Sequence, residues 1–353
     1  MSEAAANSPA TDRPLPLLLG KGWKQIAPRD IGKKLIWESD GQLLSAKTDF
    51  SDICTLGKVG RIDCPIAIDP VRRIAIRYAC QDSGGRDFSE LRSYHLDQGT
   101  QSRIFRLGLN QWILWMLKHS PKEDVVLALV ATHMPGEGIR IQHQLGLYDL
   151  ARSKSLLIPL PRDAFCPTDV NLTNQEVLFH GVEGWQIIDY YGRRCAHLRT
   201  RSLPLGRGGS FHPERPLVAL GGGGIAVWNR DHGAIQNIHK QGQNPVWSPD
   251  GEKLWFSESS SDLFVHYLTK GTTERILAVA GNRHAEISMS RPPVLTTDGT
   301  FIALPISRKV KRDDESGPRF AFYQSLIVLD IEARELWQFP GKATNMAWYE
   351  LSG

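Results

Sequence analysis

The chain has 353 residues, of which 41% are hydrophobic and 23% charged, with a formal net charge of +4. Those values suit a packed globular protein, either one large all-β domain or two to three average ones. The charge is too small to point by itself to nucleic acid or an acidic membrane.

Residues 1–13, rich in Ala, Ser and Pro, read as a disordered tail, and residues 14–353 as one domain. The tail carries Glu3 and has no apolar core of a signal peptide. Apolar runs such as Val125 to Ala131 fall short of the roughly 18 to 20 residues of a membrane span. The cysteines, Cys54, Cys64, Cys80, Cys166 and Cys195, are scattered without Cys-x-x-Cys spacing. They give no zinc or disulfide framework, so buried free thiols and a cytoplasmic location are expected.

From Ile26 onward one grammar recurs: a short apolar strand, a turn with Pro or Asp-Gly, and a second β-rich strand. It appears with Ile26, Pro28 and Leu35, then with Ile68, Pro70 and Ile74, then with His119, Pro121 and Val125. A weaker copy surrounds Leu172. Further copies carry Phe211, Pro213 and Leu217; Trp247, Pro249 and Leu254; and Leu295, Asp298 and Gly299. Trp348 closes the series, and Asn345-x-x-Trp348 repeats Asn244-x-x-Trp247. The anchors are spaced by about 36 to 53 residues, one four-stranded blade each. Eight anchors enclose seven intervals, and almost no chain follows Trp348. The expectation is an all-β, single seven-bladed β-propeller of four-stranded blades, its ring closed by N- and C-terminal strands sharing a blade.

The run PVWSPDGEKLWFS, residues 245–257, resembles the repeat of TolB-type and WD40-like β-propellers. The Gly-His and Trp-Asp signatures of WD40 blades are missing; IAVWNRDHGAI, residues 225–235, comes nearest to the latter. The resemblance implies a propeller and leaves the activity open.

The remaining motifs point away from catalysis. Gly221 to Gly224 lacks the Lys-Ser/Thr of a phosphate loop and reads as a tight hairpin. No Gly-x-Ser-x-Gly elbow and no His-Glu-x-x-His occurs. His284 and Glu286, in a long loop approaching an innermost strand, are the best candidates for an axial divalent metal. The Arg-rich run 193–207 suits phosphate or carboxylate. Residues 308–319, basic then acidic, read as a long exposed loop whose charges nearly cancel, which weakens a nucleic-acid reading. Trp112 and Trp185 are the expected exposed aromatic anchors.

Two functions follow. The first is a non-catalytic scaffold, monomeric on its own, that docks another protein through the face carrying the strand 2–3 loops and the links between blades. Neither a membrane nor nucleic acid is an expected partner, and no cofactor is expected. The second is an enzyme or small-ligand binder with its site at the axial channel. The residues singled out for binding are Asp63, Trp112, Arg207, Asn244, His284, Glu286, Arg291 and Asn345. Arg207 and Arg291 are expected to meet an acidic partner.

Overall fold

The computed structural model describes residues 17–59, 66–81, 88–108, 110–120, 124–134, 140–161, 164–199, 208–258, 262–279, 286–288, 293–314, 317–341 and 343–350. They form seven small sheets, one per blade of a propeller. Blade 1 draws on both ends of the chain. Thr344–Glu350 is its innermost strand and pairs antiparallel with Lys33–Ser39, followed outward by Gln42–Lys47 and Cys54–Lys58. Blades 2 to 7 occupy residues 67–106, 111–159, 164–199, 209–239, 243–279 and 286–340.

Burial is graded from the axis to the rim, and the strand sequences follow it. Glu176–Gly181, a second strand, is buried at every position. Such strands are covered on both sheet faces by neighbouring blades, so they read as continuous apolar runs. The outermost strands Lys154–Pro159 and Ile235–His239 are mostly exposed. Seven clusters of buried side chains fill the seven blade junctions. The cluster between blades 7 and 1 includes Leu35, Trp37, Val328, Trp337 and Trp348.

The Asn-x-x-Trp pair has a structural meaning. Asn244 and Asn345 lie at bulges in the innermost strands of blades 6 and 1, with φ of 53° and 23°. Asn tolerates this left-handed backbone better than most residues. Each bulge aims the following Trp at the preceding blade. Trp247 Nε1 donates to Ser210 O at 3.2 Å, and Trp348 Nε1 donates to Val294 O at 2.8 Å. The second of these ties the C-terminal strand to blade 7.

The N-terminal segment does something the repeat did not announce. Leu17–Leu19 adds a fifth, outermost strand to blade 6, and Lys24–Gln25 adds one in parallel to blade 7. Trp23 between them packs into the junction of those blades. Gly20 passes so close that an added Cβ would lie 2.2 Å from Arg275 O, which only glycine permits. Ile26 therefore ends an outer strap and does not anchor an innermost strand; in blade 1 that position belongs to the C-terminal strand. The tail 1–13 lies outside the described residues. Among the described residues no helix is long and apolar enough to cross a membrane.

Removal of residues 343–353 takes away the innermost strand of blade 1 and buried Trp348. Loss of a buried Trp by itself costs about 3 to 5 kcal/mol. Denaturant unfolding is expected to show the truncated ring destabilised by at least that amount; an unchanged midpoint would contradict closure by this strand.

Candidate functional site

The two faces of the ring differ. One carries the strand 1–2 and 3–4 turns, and these are short and capped. After the innermost strand of blades 2, 4, 5, 6 and 7 stands Asp69, Asn171, His212, Ser248 or Thr296, and each accepts a hydrogen bond from a backbone N–H of the turn that follows. Asp149, Asp189, Asn229 and Asp330 do the same for 3–4 turns. These local side-chain bonds hold the turns without secondary structure. Ion pairs then cross the junctions: Arg72–Asp124, Arg230–Glu176 at 2.6 Å, Arg215–Glu252 at 2.9 Å, Arg334–Glu274 at 3.2 Å and Lys33–Asp298 at 3.1 Å. Most are partly exposed, so each contributes on the order of 0 to 1 kcal/mol.

A cleft of about 340 Å³ opens on this face between blades 4 and 5, lined by Thr173, Asn174, Arg215, Arg230 and Asp231 over His212. His212 is a turn cap and not a free base. Its Nδ1 accepts from the Glu214 and Arg215 amides at 3.1 and 2.9 Å. Burial lowers its pKa below the ordinary 6.5, so it is neutral at pH 7. Burial lowers His180 and His266 in the same way. His180 stands edge-on to Trp185, with ring centroids 5.0 Å apart. Both cationic side chains of the cleft are engaged, Arg230 with Glu176 and Arg215 with Glu252.

The opposite face holds the strand 2–3 hairpins and the approaches to the innermost strands. Some hairpins are tight: blade 5 turns through Gly222 and Gly223, with φ of 128° and 92°. Blade 7 is the exception. Its second and third strands, Phe301–Asp314 and Gly317–Asp330, run fourteen residues each and pair from Phe301↔Asp330 to Asp314↔Gly317. The fourth strand, Glu335–Pro340, stops at Ser325↔Pro340. Residues 307–314 and 317–324 thus form a two-stranded arm that continues past the outer strand by roughly 26 Å, at about 3.3 Å per residue. Residues 308–319 were expected to be a loop. Alternation was masked by charge on the outgoing strand, and the pairing comes from the aromatic return strand.

Several expected site residues have structural positions. Asn345 is 3% exposed, and its Nδ2 donates to Glu38 Oε2 at 3.0 Å. Glu38 also pairs with fully buried Arg77, whose Nη1 donates to Tyr78 O at 2.6 Å. This polar set, with Asn345 in it, fastens blade 2 to blade 1. Asn244, half-buried, serves the bulge described above. Trp112 is partly buried against the junction of blades 2 and 3, and Trp185 is 1% exposed, so neither is a surface anchor; strand packing on both sides covers them. Glu286 begins the strand Glu286–Ser288, paired with Lys309, where a loop was expected. Asp63, Arg207, His284 and Arg291 lie outside the described residues. Cys54 and Cys195 are exposed free thiols, not buried ones, because both fall on outermost strands at the rim. Among the described residues no group of three or more His, Cys, Asp or Glu is arranged to hold a metal.

No family profile matches the chain, and no curated protein does. Among solved structures it is similar to TolB from Acinetobacter baumannii, at 12% identity and a TM-score of 0.49, covering 92% of this chain and 68% of that one. It is also similar to a chain of a nidogen/laminin complex, at 10% identity and a TM-score of 0.45, covering 69% and 92%. The architecture rests on the strand registers themselves, and neither protein's role is carried over.

The depressed histidines set a pH dependence. Their folded pKa values lie below the unfolded 6.5, so the unfolded chain binds protons first and stability is complete above about pH 7. It falls as pH drops through and below 6.5. In His212→Asn, where Asn can cap the turn as Asn171 does, the loss of stability between pH 7.5 and pH 5 is expected to be smaller than in the parent, by denaturant midpoint. An equal loss would show that His212 is not among the groups responsible.

Proposed function

We propose that this protein is a binding propeller that docks another protein through the face bearing the blade 7 arm. The observation that carries the reading is the fourteen-residue pairing of Phe301–Asp314 with Gly317–Asp330, which reaches past the blade that supports it. At its base the ribbon joins the junction clusters through Ile306 and Leu326. A ribbon that reaches past its outer strand, held on a closed ring, is a common way for a scaffold to present a recognition element.

The opposite face supports the reading by contrast. Its turns are short and capped, its charges are largely paired across junctions, and its cleft is closed beneath by a neutral His212 held by two amides. The chain's own strap also shows that strand addition at the rim is compatible with this ring.

Excision of 310–321 and insertion of Asn-Gly leaves Lys309 and Phe322 flanking a two-residue hairpin turn. This shortened ring is expected to melt within a few degrees of the parent and to lose the polypeptide that the parent retains on a column. If the shortened ring keeps that polypeptide while Tyr191→Glu on the turn face loses it, the reading is wrong.

A further inference from the structure

The arm has a feature that the core does not explain. Beyond Ser325 no strand among the described residues pairs with the outer side of Gly317–Gln324. On the inner side of the ribbon Glu286–Ser288 covers Ser307–Lys309 and goes no further. The uncovered run reads Gly-Pro-Arg-Phe-Ala-Phe-Tyr-Gln, rich in strand-forming aromatics after Pro318. An edge of this length and composition recruits another strand unless something blunts it. Elsewhere on this ring the chain covers two such edges itself, with Leu17–Leu19 on blade 6 and Lys24–Gln25 on blade 7.

Pairing also sorts the charges that cancel along the sequence. The rungs of the shaft are Arg308↔Tyr323, Lys309↔Phe322, Lys311↔Phe320 and Arg312↔Arg319. Asp313 and Asp314 occupy the last two rungs, paired with Pro318 and Gly317. The rungs from Arg308 to Arg312 are therefore predominantly cationic and the last two carry the acidic residues. A second copy of this chain, adding edge to edge, would set one cationic shaft beside another. An acidic strand would meet the opposite charge.

Resting on the function proposed above, we infer that the partner contributes an extended acidic segment that adds as a β-strand to the outer edge of Arg319–Gln324, continuing the blade 7 sheet along the arm. Main-chain hydrogen bonds supply the attachment, and the rungs at Arg308, Lys309, Lys311, Arg312 and Arg319 select for acidic side chains.

The test uses the full chain and an acetylated octapeptide of alternating Glu and Val, with the Lys and Val counterpart and a 15-nucleotide oligothymidine as controls. Amide hydrogen exchange over 319–324 is expected to slow at least tenfold with saturating Glu-Val peptide. Lys-Val peptide should leave it unchanged. Binding should weaken at least tenfold in the double variant Lys311→Glu/Arg312→Glu, and at 0.5 M salt. Unchanged exchange at 319–324 with the Glu-Val peptide overturns the strand-addition mode. So does protection by oligothymidine with none by peptide, which would mark the arm as a nucleic-acid element. Protection that rises with protein concentration without peptide also overturns it, in favour of self-association. Loss of the retained polypeptide in the 310–321 excision, together with unchanged exchange, would leave the docking face standing and remove this mode of attachment.

Discussion

Everything in this structure depends on one pairing, between Thr344–Glu350 and Lys33–Ser39. A propeller blade buries its faces against two neighbours, so an open ring would leave two blades with a bare apolar face each. The C-terminal strand prevents that by becoming the innermost strand of the first blade. It brings Met346 and Trp348 to the junction with blade 7, and Ala347 and Tyr349 to the junction with blade 2. The Trp348 bond to Val294 O and the Arg73 Nε bond to the Tyr349 hydroxyl at 2.7 Å fasten the same strand on both sides. The pairing joins positions some three hundred residues apart, so loop-closure entropy opposes it and the packing of both junctions must outweigh that.

Ring closure divides the molecule into parts with different duties. The turn face is locally determined. In blades 2, 4, 5, 6 and 7 a single Asp, Asn, His, Ser or Thr at the end of the innermost strand accepts from an amide of the next turn, and charge pairs link neighbouring blades. The face with the 2–3 hairpins is less uniform, and on it the second and third strands of blade 7 run past the fourth. The strap from Leu17 to Gln25 runs along the outer edges of blades 6 and 7 and reinforces the blade that bears the arm.

Much of this was legible in the sequence because the repeat is a chemical one. Pro249, Asp250 and Gly251 must form a turn after a buried Trp247, and the same demand recurs at Asp69-Pro70 and His212-Pro213. The closing strand could be read from Trp348, since Asn345-x-x-Trp348 repeats the Asn244-x-x-Trp247 of an innermost strand. The strap could not be read, since strands of two and three residues have no measurable period and their pairing partners lie far away. The arm was hidden for a different reason. Its outgoing strand is charged at most positions and its return strand is aromatic, so the two halves look unlike until the register joins Lys309 to Phe322. Asn244 and Asn345 were recognised as a pair, yet their role lies in backbone conformation and junction bonding, which composition does not disclose.

The central claim is that the ring is closed by the C-terminal strand and behaves as one cooperative body. Native-state amide hydrogen exchange tests it most directly. The account predicts that amides of Leu35, Ile36 and Trp37 and of Met346, Ala347 and Trp348 exchange only with global unfolding, at the same free energy as Val218, Ala219 and Leu220 in blade 5. Exchange of the C-terminal strand at a free energy several kcal/mol below that of blade 5 would contradict it, since it would mean that the ring opens at this seam while the remaining blades stay folded.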